Sequence, residues 1–268
     1  MKRKKVRIFV YVALALLCTA AIALFISELV TDEDFPAVAM IRTLVILGGA
    51  AVTLVRITPR KGLSYYENSY RRELGFAFEW DPSSRRRLLK AIKAYNEDRY
   101  EKAALILRDL KHVCRTLEDF RAVQLFTGLV FSDVGELALA AAAYEEAIAS
   151  GISDSQIYSN LGFVHARNGD QERAVISYRN AIGCNPNNPF AHNNLAQLLC
   201  RLGRYEEAIE PAEKALSLNY TMYQAANALA LAYRALGDME NSQKYFRIAV
   251  MNGSDRESLL KALENVEV

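Results

Sequence analysis

Apolar and polar positions alternate in two distinct regimes along this chain. Near the N-terminus the apolar residues are contiguous. Ile8 to Ile26 (IFVYVALALLCTAAIALFI) contains no charge, and Pro36 to Ile57 is interrupted only by Arg42 and by Arg56 near its far end. From residue 84 onward the apolar residues recur instead every three or four positions, in segments of helical length separated by glycine or by Asn/Pro breaks. That period is the signature of amphipathic α-helices, each with one face to bury. No stretch alternates with the period of two that a half-buried strand requires, so the pattern predicts an all-α chain.

The helical region repeats itself. Shifted by 34 residues, residues 121–154, 155–188, 189–222 and 223–256 superpose without insertion or deletion. In 155–188 the recurring residues are Tyr158, Leu161, Gly162 and His165, then Gly169-Asp170, Ala174, Tyr178, Ala181 and Pro186. A worn copy at about 84–117 keeps Ala91, Asp98, Tyr100, Ala103 and Leu107, and residues 255–266 read as a capping helix. The set resembles the tetratricopeptide repeat, W-x2-L-G-x2-Y, a turn, then A-x3-F-x2-A and a late proline. That resemblance implies an α-solenoid of about five helix pairs over 84–268. Small residues at positions 8 and 20 of each copy (Gly162 with Ala174, Ala196 with Ala208, Ala230 with Ser242) are expected to let paired helices approach. Tyr178 and Phe246 are expected to fill the space between copies, and Gly169, Gly203 and Gly237 to turn the chain between helices at positive φ.

The N-terminal runs set where such a solenoid sits. A helix of nineteen residues rises roughly 28 Å at about 1.5 Å per residue, which spans a bilayer core. Two spans at about 8–28 and 36–57, joined by the acidic connector Thr31–Phe35, form a hairpin within residues 1–61. Lys2, Arg3, Lys4, Lys5 and Arg7 precede the first span, and Arg56, Arg60 and Lys61 close the second. The positive-inside rule therefore places both chain ends, and the repeats, on the cytoplasmic side of a cell membrane. A bacterial inner membrane suits this compact plan. The alternative is a cleaved signal peptide with one retained span, since MKRKKVR reads equally as a basic n-region.

Residues 62–83 link the two regimes and concentrate Tyr65, Tyr66, Tyr70, Phe76, Phe78 and Trp80. Such rings suit either a membrane-interface belt or a cover over the first helix pair. The following Arg85, Arg86, Arg87, Lys90 and Lys93 read as a solvated helix face.

Composition narrows the chemistry. A net charge of +2 leaves no broad basic footprint for nucleic acid. Cys18, Cys114, Cys184 and Cys200 form no CxxC pair and lie near no histidine at metal-ligand spacing, so neither a metal nor a cofactor is expected. His165 stands where the repeat carries tyrosine and reads as a core aromatic. No nucleophile or base accompanies it, so the chain is not expected to be an enzyme. The acidic pairs Glu145-Glu146 and Glu206-Glu207 read as a solvated face of second helices.

The resemblance also implies where a ligand would lie, because the first helix of each copy lines the concave face. Positions 2, 5, 6, 9, 12 and 13 point there, and in 155–188 they include Gln156, Ser159, Asn160, Phe163 and Arg167. The next copy adds Phe190, Asn193, Asn194, Gln197 and Arg201, and the last adds Gln224, Asn227, Leu231 and Arg234. Asparagine carries donor and acceptor together and suits a peptide backbone. Chaperone-tail binders of this family carry lysine at position 5, where this chain has Ser159, Asn193 and Asn227. The expected function is a membrane-tethered scaffold that binds a partner peptide or helix in this groove. The alternative is an assembly subunit of a membrane complex, with the solenoid as spacer.

Overall fold

The computed structural model describes residues 63–266. The two apolar runs, and the hairpin expected of them, lie outside the described residues. Among those described there are thirteen helices and no strand, and no helix is long and apolar enough to cross a membrane. Two short helices come first, α1 (Leu63–Ser69) and α2 (Arg71–Leu74). Five helix pairs follow: α3 (Pro82–Asn96) with α4 (Tyr100–Lys111), α5 (Leu117–Val134) with α6 (Leu137–Ala149), α7 (Ser155–Asn168) with α8 (Gln171–Cys184), α9 (Pro189–Arg201) with α10 (Tyr205–Leu218), and α11 (Tyr223–Ala235) with α12 (Met239–Met251). The single helix α13 (Arg256–Glu264) ends the array.

Local chemistry fixes most of these boundaries. Four of the five first helices open on side-chain caps, α11 behind Met222 being the exception; Asp81 accepts from the Ser83 N–H, Asp154 from those of Gln156 and Ile157, and Asn188 from those of Phe190 and Ala191. Pro82 and Pro189 sit at the first helical position, where a missing N–H costs nothing. Position 15 of the repeat turns the chain between paired helices at φ 92°, 89°, 73° and 77° for Gly135, Gly169, Gly203 and Gly237. The worn first copy has Asp98 at that position, and it takes φ 58° all the same. Aspartate tolerates the left-handed region better than most side chains, and the Tyr100 hydroxyl donates to its carboxylate at 3.0 Å.

Within pairs, close approach depends on glycine. A Cβ built on Gly128 would lie 2.3 Å from the Tyr144 ring, and one on Gly162 would lie 2.8 Å from Tyr178. Each tyrosine therefore lies flat on the glycine of its own pair. This revises the expectation that Tyr178 fills only the space between copies. The ring does both, since it also shares a cluster with Leu195, Leu198 and Leu199 of α9.

Three residues separate the first copy from the second, and α5 absorbs them. It begins at Leu117, four residues ahead of the repeat start at 121, and adds a turn closed by the Thr116/Asp119 capping box. That turn holds the aromatic segment. The Asp119 carboxylate accepts from the Phe78 N–H at 2.6 Å and the Trp80 Nε1–H at 2.8 Å, besides the N–H groups of Arg115 and Thr116. Tyr66, Leu74, Ala77 and Phe78 are buried in one cluster with Leu88 and Ile92 of α3 and Val123 and Phe126 of α5. Of the two readings of this segment, the packed cover is the one observed, and residues 63–81 are no extended linker. Arg85 belongs to the same contact, because it bonds Glu67 at 3.0 Å and the Ala77 carbonyl at 2.8 Å instead of only facing solvent.

Second helices are joined across copies by ion pairs. Lys111 meets Glu146 at 2.6 Å, Arg173 meets Glu145 at 2.6 Å, Arg179 meets Glu207 at 2.8 Å, and Arg204 meets Glu172 at 3.3 Å. Of the carboxylates expected only to solvate this face, Glu145, Glu146 and Glu207 are exposed but paired, and Glu206 is exposed without an ion pair among the described residues. Each exposed pair contributes about 0.2–1 kcal/mol, so the row favours one register of neighbouring copies more than it stabilises them.

Glycine packing is testable by contrast. Gly128→Ala drives a methyl into the Tyr144 ring and is expected to cost about 1–3 kcal/mol in chemical denaturation. Gly183→Ala, in α8 with nothing within 4 Å of the added Cβ, should instead stabilise by roughly 0.5–1 kcal/mol. Equal effects of the two would refute the close-approach account.

Candidate binding groove

The first helices α7, α9 and α11 carry the predicted groove residues, and they gather into two concavities. The larger, of about 720 Å³, holds Gln156, Ser159, Asn160, Phe190 and Asn194. The smaller, of about 270 Å³, holds Gln197, Arg201, Gln224, Asn227 and Leu231, with Val266 at its edge. Phe163, Arg167, Asn193 and Arg234 line neither. Phe163 is exposed under the Arg167 guanidinium, which lies 5.6 Å from its ring centroid.

Two of the three predicted groove arginines have partners within the protein. Arg167 donates to the Ser132 carbonyl of the preceding copy at 2.8 Å. Arg234 reaches the Leu263 carbonyl at 3.3 Å and Met239 Sδ at 2.9 Å, which ties α11 to α13 and α12. Both are engaged in structure, so neither is a free cation for a ligand. Arg201 has no hydrogen bond or ion pair among the described residues and stays available.

The polar groups behind the surface are unusual in another way. Ser159 Oγ, Asn193 Oδ1 and Asn227 Oδ1 are all buried and lack a hydrogen-bond partner. Asn193 is only 6% exposed, and its amide uses one contact, to Asn194 Oδ1 at 3.3 Å. An unpaired buried polar group costs about 1–3 kcal/mol, so three of them along one row of first helices call for a physical account. The Asn160 amide turns to the Tyr144 hydroxyl, whose phenol burial pushes far up and the amide opposes. His192 adds a fourth unpaired atom beside Asn193. Its Nε2 lies 2.9 Å from the Pro186 carbonyl, to which it donates, and this leaves Nδ1 as a buried acceptor without a donor.

Residues from outside the first helices complete the larger concavity. Arg72 and Glu73 come from α2, and Arg121 comes from α5, where its guanidinium bonds Glu118, Asp154 and the Glu73 carbonyl. No periodic signal marks Arg72 or Arg121 as groove residues, because the repeat pattern reports helix faces and not what another segment brings alongside. Asn188 was legible in principle, since Asn-Pro at a helix start is a capping signal.

Among the described residues no group of three His, Cys, Asp or Glu side chains is placed to hold a metal ion. Cys200, at the smaller concavity, has its thiol pushed up to about 12 by burial, so it stays protonated and unreactive. His165 is buried in the helix-pair core, with Glu145 3.9 Å away and Arg173 bonded to that glutamate.

Comparison with known proteins comes to the same repeat. Profiles described as tetratricopeptide repeat match residues 127–189, 177–210 and 223–251. The crystal structure of MamA is 20% identical and aligns over 64% of this chain and 96% of MamA, with a TM-score of 0.55. A MamA structure designated AMB-1 is 22% identical over 67% of this chain and 98% of its own, with a TM-score of 0.53. YrrB, described as a TPR protein with an unusual peptide-binding site, is 16% identical over 65% of this chain and 88% of its own, with a TM-score of 0.55. At such identities the likeness shows the fold alone. No curated protein matches the chain in sequence.

His165 makes the core sensitive to pH. Burial, and then the nearby Arg173, hold its imidazole below the usual 6.5, with Glu145 and Asp170 opposing. The folded protein therefore binds this proton less readily than the unfolded chain does. Its stability is full above pH 6.5 and falls as pH drops from 6.5 through the folded pKa. Thermal melts of the wild type should show that slope and His165→Tyr should flatten it; identical slopes would refute the assignment.

Proposed function

We propose that this array of tetratricopeptide repeats is a protein-interaction scaffold that holds an extended segment of a partner chain along α7, α9 and α11. The observation that carries the reading is a buried, unpaired polar atom in each concavity, at Ser159 and at Asn227, with Asn193 unpaired on the helix α9 between α7 and α11. An extended peptide presents an N–H and a C=O at every residue, and an asparagine amide can answer either. Such bonds read the backbone and leave sequence selection to the flanking side chains. Gln156 and Phe190 would contribute at one end of the groove, Gln197, Arg201 and Leu231 at the other. The absence of lysine at position 5 separates this surface from the chaperone-tail clamp of the same family. That YrrB is described as having a peptide-binding site is in keeping with this use of the fold.

The proposal extends to the residues before the array. The two apolar runs, with basic residues outside both and an acidic connector between, support a membrane hairpin that keeps the repeats on the cytoplasmic side. Tethering would raise the effective concentration of a weak groove toward partners in the same membrane.

A substitution that separates binding from folding tests the groove. Asn227→Leu removes a buried unpaired acceptor in a concavity with room for the new side chain. The free protein is expected to gain about 1 kcal/mol in denaturation. Peptides selected on the wild type from a displayed library should then bind the variant about tenfold more weakly by calorimetry, as loss of a hydrogen bond worth about 1–1.5 kcal/mol implies. Undiminished peptide binding would remove Asn227 from the site.

The tether has its own test. With Glu33→Cys, a membrane-impermeant maleimide applied to intact cells should label the connector, while the exposed Cys184 of the repeats reacts only after lysis. Labelling of Cys184 in intact cells would invert the proposed topology.

A further inference from the structure

The far end of the array is built differently from every junction before it. Helix α13 stands where the first helix of another copy would stand, behind an Asp255 cap, with Leu259 and Leu263 packed on α11 and α12. Among the described residues no second helix follows it. The place such a helix would occupy is a crevice of about 590 Å³ between α12 and α13. Phe246, Val250 and Met251 form one wall, and Leu260 and Leu263 the other. Met251, which ends α12, is 85% exposed at the mouth of this crevice.

The equivalent crevice two copies earlier shows what fills it. Tyr178 of α8 holds the position that Phe246 holds in α12, and it packs on α9 together with Ala208 of α10. The next residue, Arg179, bonds Glu207 in the first turn of α10 at 2.8 Å. Arg247 holds the position of Arg179, yet it has no hydrogen bond or ion pair among the described residues. Arg256 adds a second cation to the rim. The site thus repeats the apolar wall and the cation of an occupied junction, and lacks the small-faced helix and the carboxylate.

We infer that the α12–α13 crevice is a second docking surface, which takes an amphipathic helix of a partner protein as the second helix of a composite repeat. Alanine-sized residues on its inner face meet Phe246, and a carboxylate in its first turn meets Arg247. A carboxylate there is also favoured by the dipole of the incoming helix. A second copy of this chain is a poor occupant. Its helix of the right kind, α10, already buries Ala208, Ala212 and Ala215 inside its own array. Nothing in this inference depends on the groove, which lies along other helices.

The probe is a fluorescent, lactam-constrained peptide with the α10 sequence, YEEAIEPAEKALSL, titrated against the full chain by anisotropy. Saturable binding is expected. Arg247→Glu should weaken it about tenfold, and a peptide carrying Glu207→Lys should lose affinity for the wild type but recover it on Arg247→Glu. Met251→Lys should also weaken binding, whereas Asn193→Ala/Asn194→Ala in the groove should leave it unchanged. No saturable binding, binding indifferent to Arg247→Glu, or loss caused by the groove variant would overturn the inference. So would a dimer of the full chain in analytical ultracentrifugation that Arg247→Glu or Met251→Lys dissociates, since a second copy would then be the occupant.

Discussion

The array rests on one steric condition, that two helices of a pair come close enough for a tyrosine ring to lie against a bare α-carbon. Gly128 beneath Tyr144 and Gly162 beneath Tyr178 meet it most strictly, and the ring then extends to the next copy. Pairing within a copy and stacking between copies are therefore done by the same side chain. Neither can loosen without the other, which is how a linear stack of short hairpins becomes one cooperative body.

A linear stack has two ends, and each leaves an apolar face that the next copy would have covered. The chain treats them unequally. At the start, α1, α2 and Phe78 close the face, and the carboxylate of Asp119 holds them there. Burial alone would push that carboxyl up, but donation from the Phe78, Arg115 and Thr116 N–H groups and from Trp80 holds it below its usual value. At the far end of the described residues, α13 packs on α11 and α12. Among those residues the first surface is covered, whereas the second shows an apolar wall and an unpaired arginine.

Much of this was legible in the sequence. A period of 34 residues identifies the pairs, the turn position and the row of groove residues, because all three are properties of a helix face or a tight turn. Even the worn first copy obeys it, with Asp98 in the left-handed conformation that glycine takes elsewhere. The period fails where a side chain answers to backbone. Arg167 bonds the Ser132 carbonyl and Arg234 that of Leu263, and a carbonyl has no residue identity for a pattern to report. It fails again at Asp119, a capping residue by local spacing, whose second set of partners lies about forty residues earlier. The ion pairs between second helices are the intermediate case. Their charges are plain in the sequence, but their pairing at 28 to 35 residues emerges only from the stacking.

The unpaired atoms behind the groove bear on how strongly anything could be held there. An ordinary hydrogen bond nets about 0.5–1.5 kcal/mol because each partner must first surrender water. Asn193 Oδ1 and Asn227 Oδ1 are buried and receive no donor from the protein itself. A ligand N–H that reaches them would displace no protein hydrogen bond, so none of its gain would be spent on breaking one. The heat released on association would then come largely from a few amides.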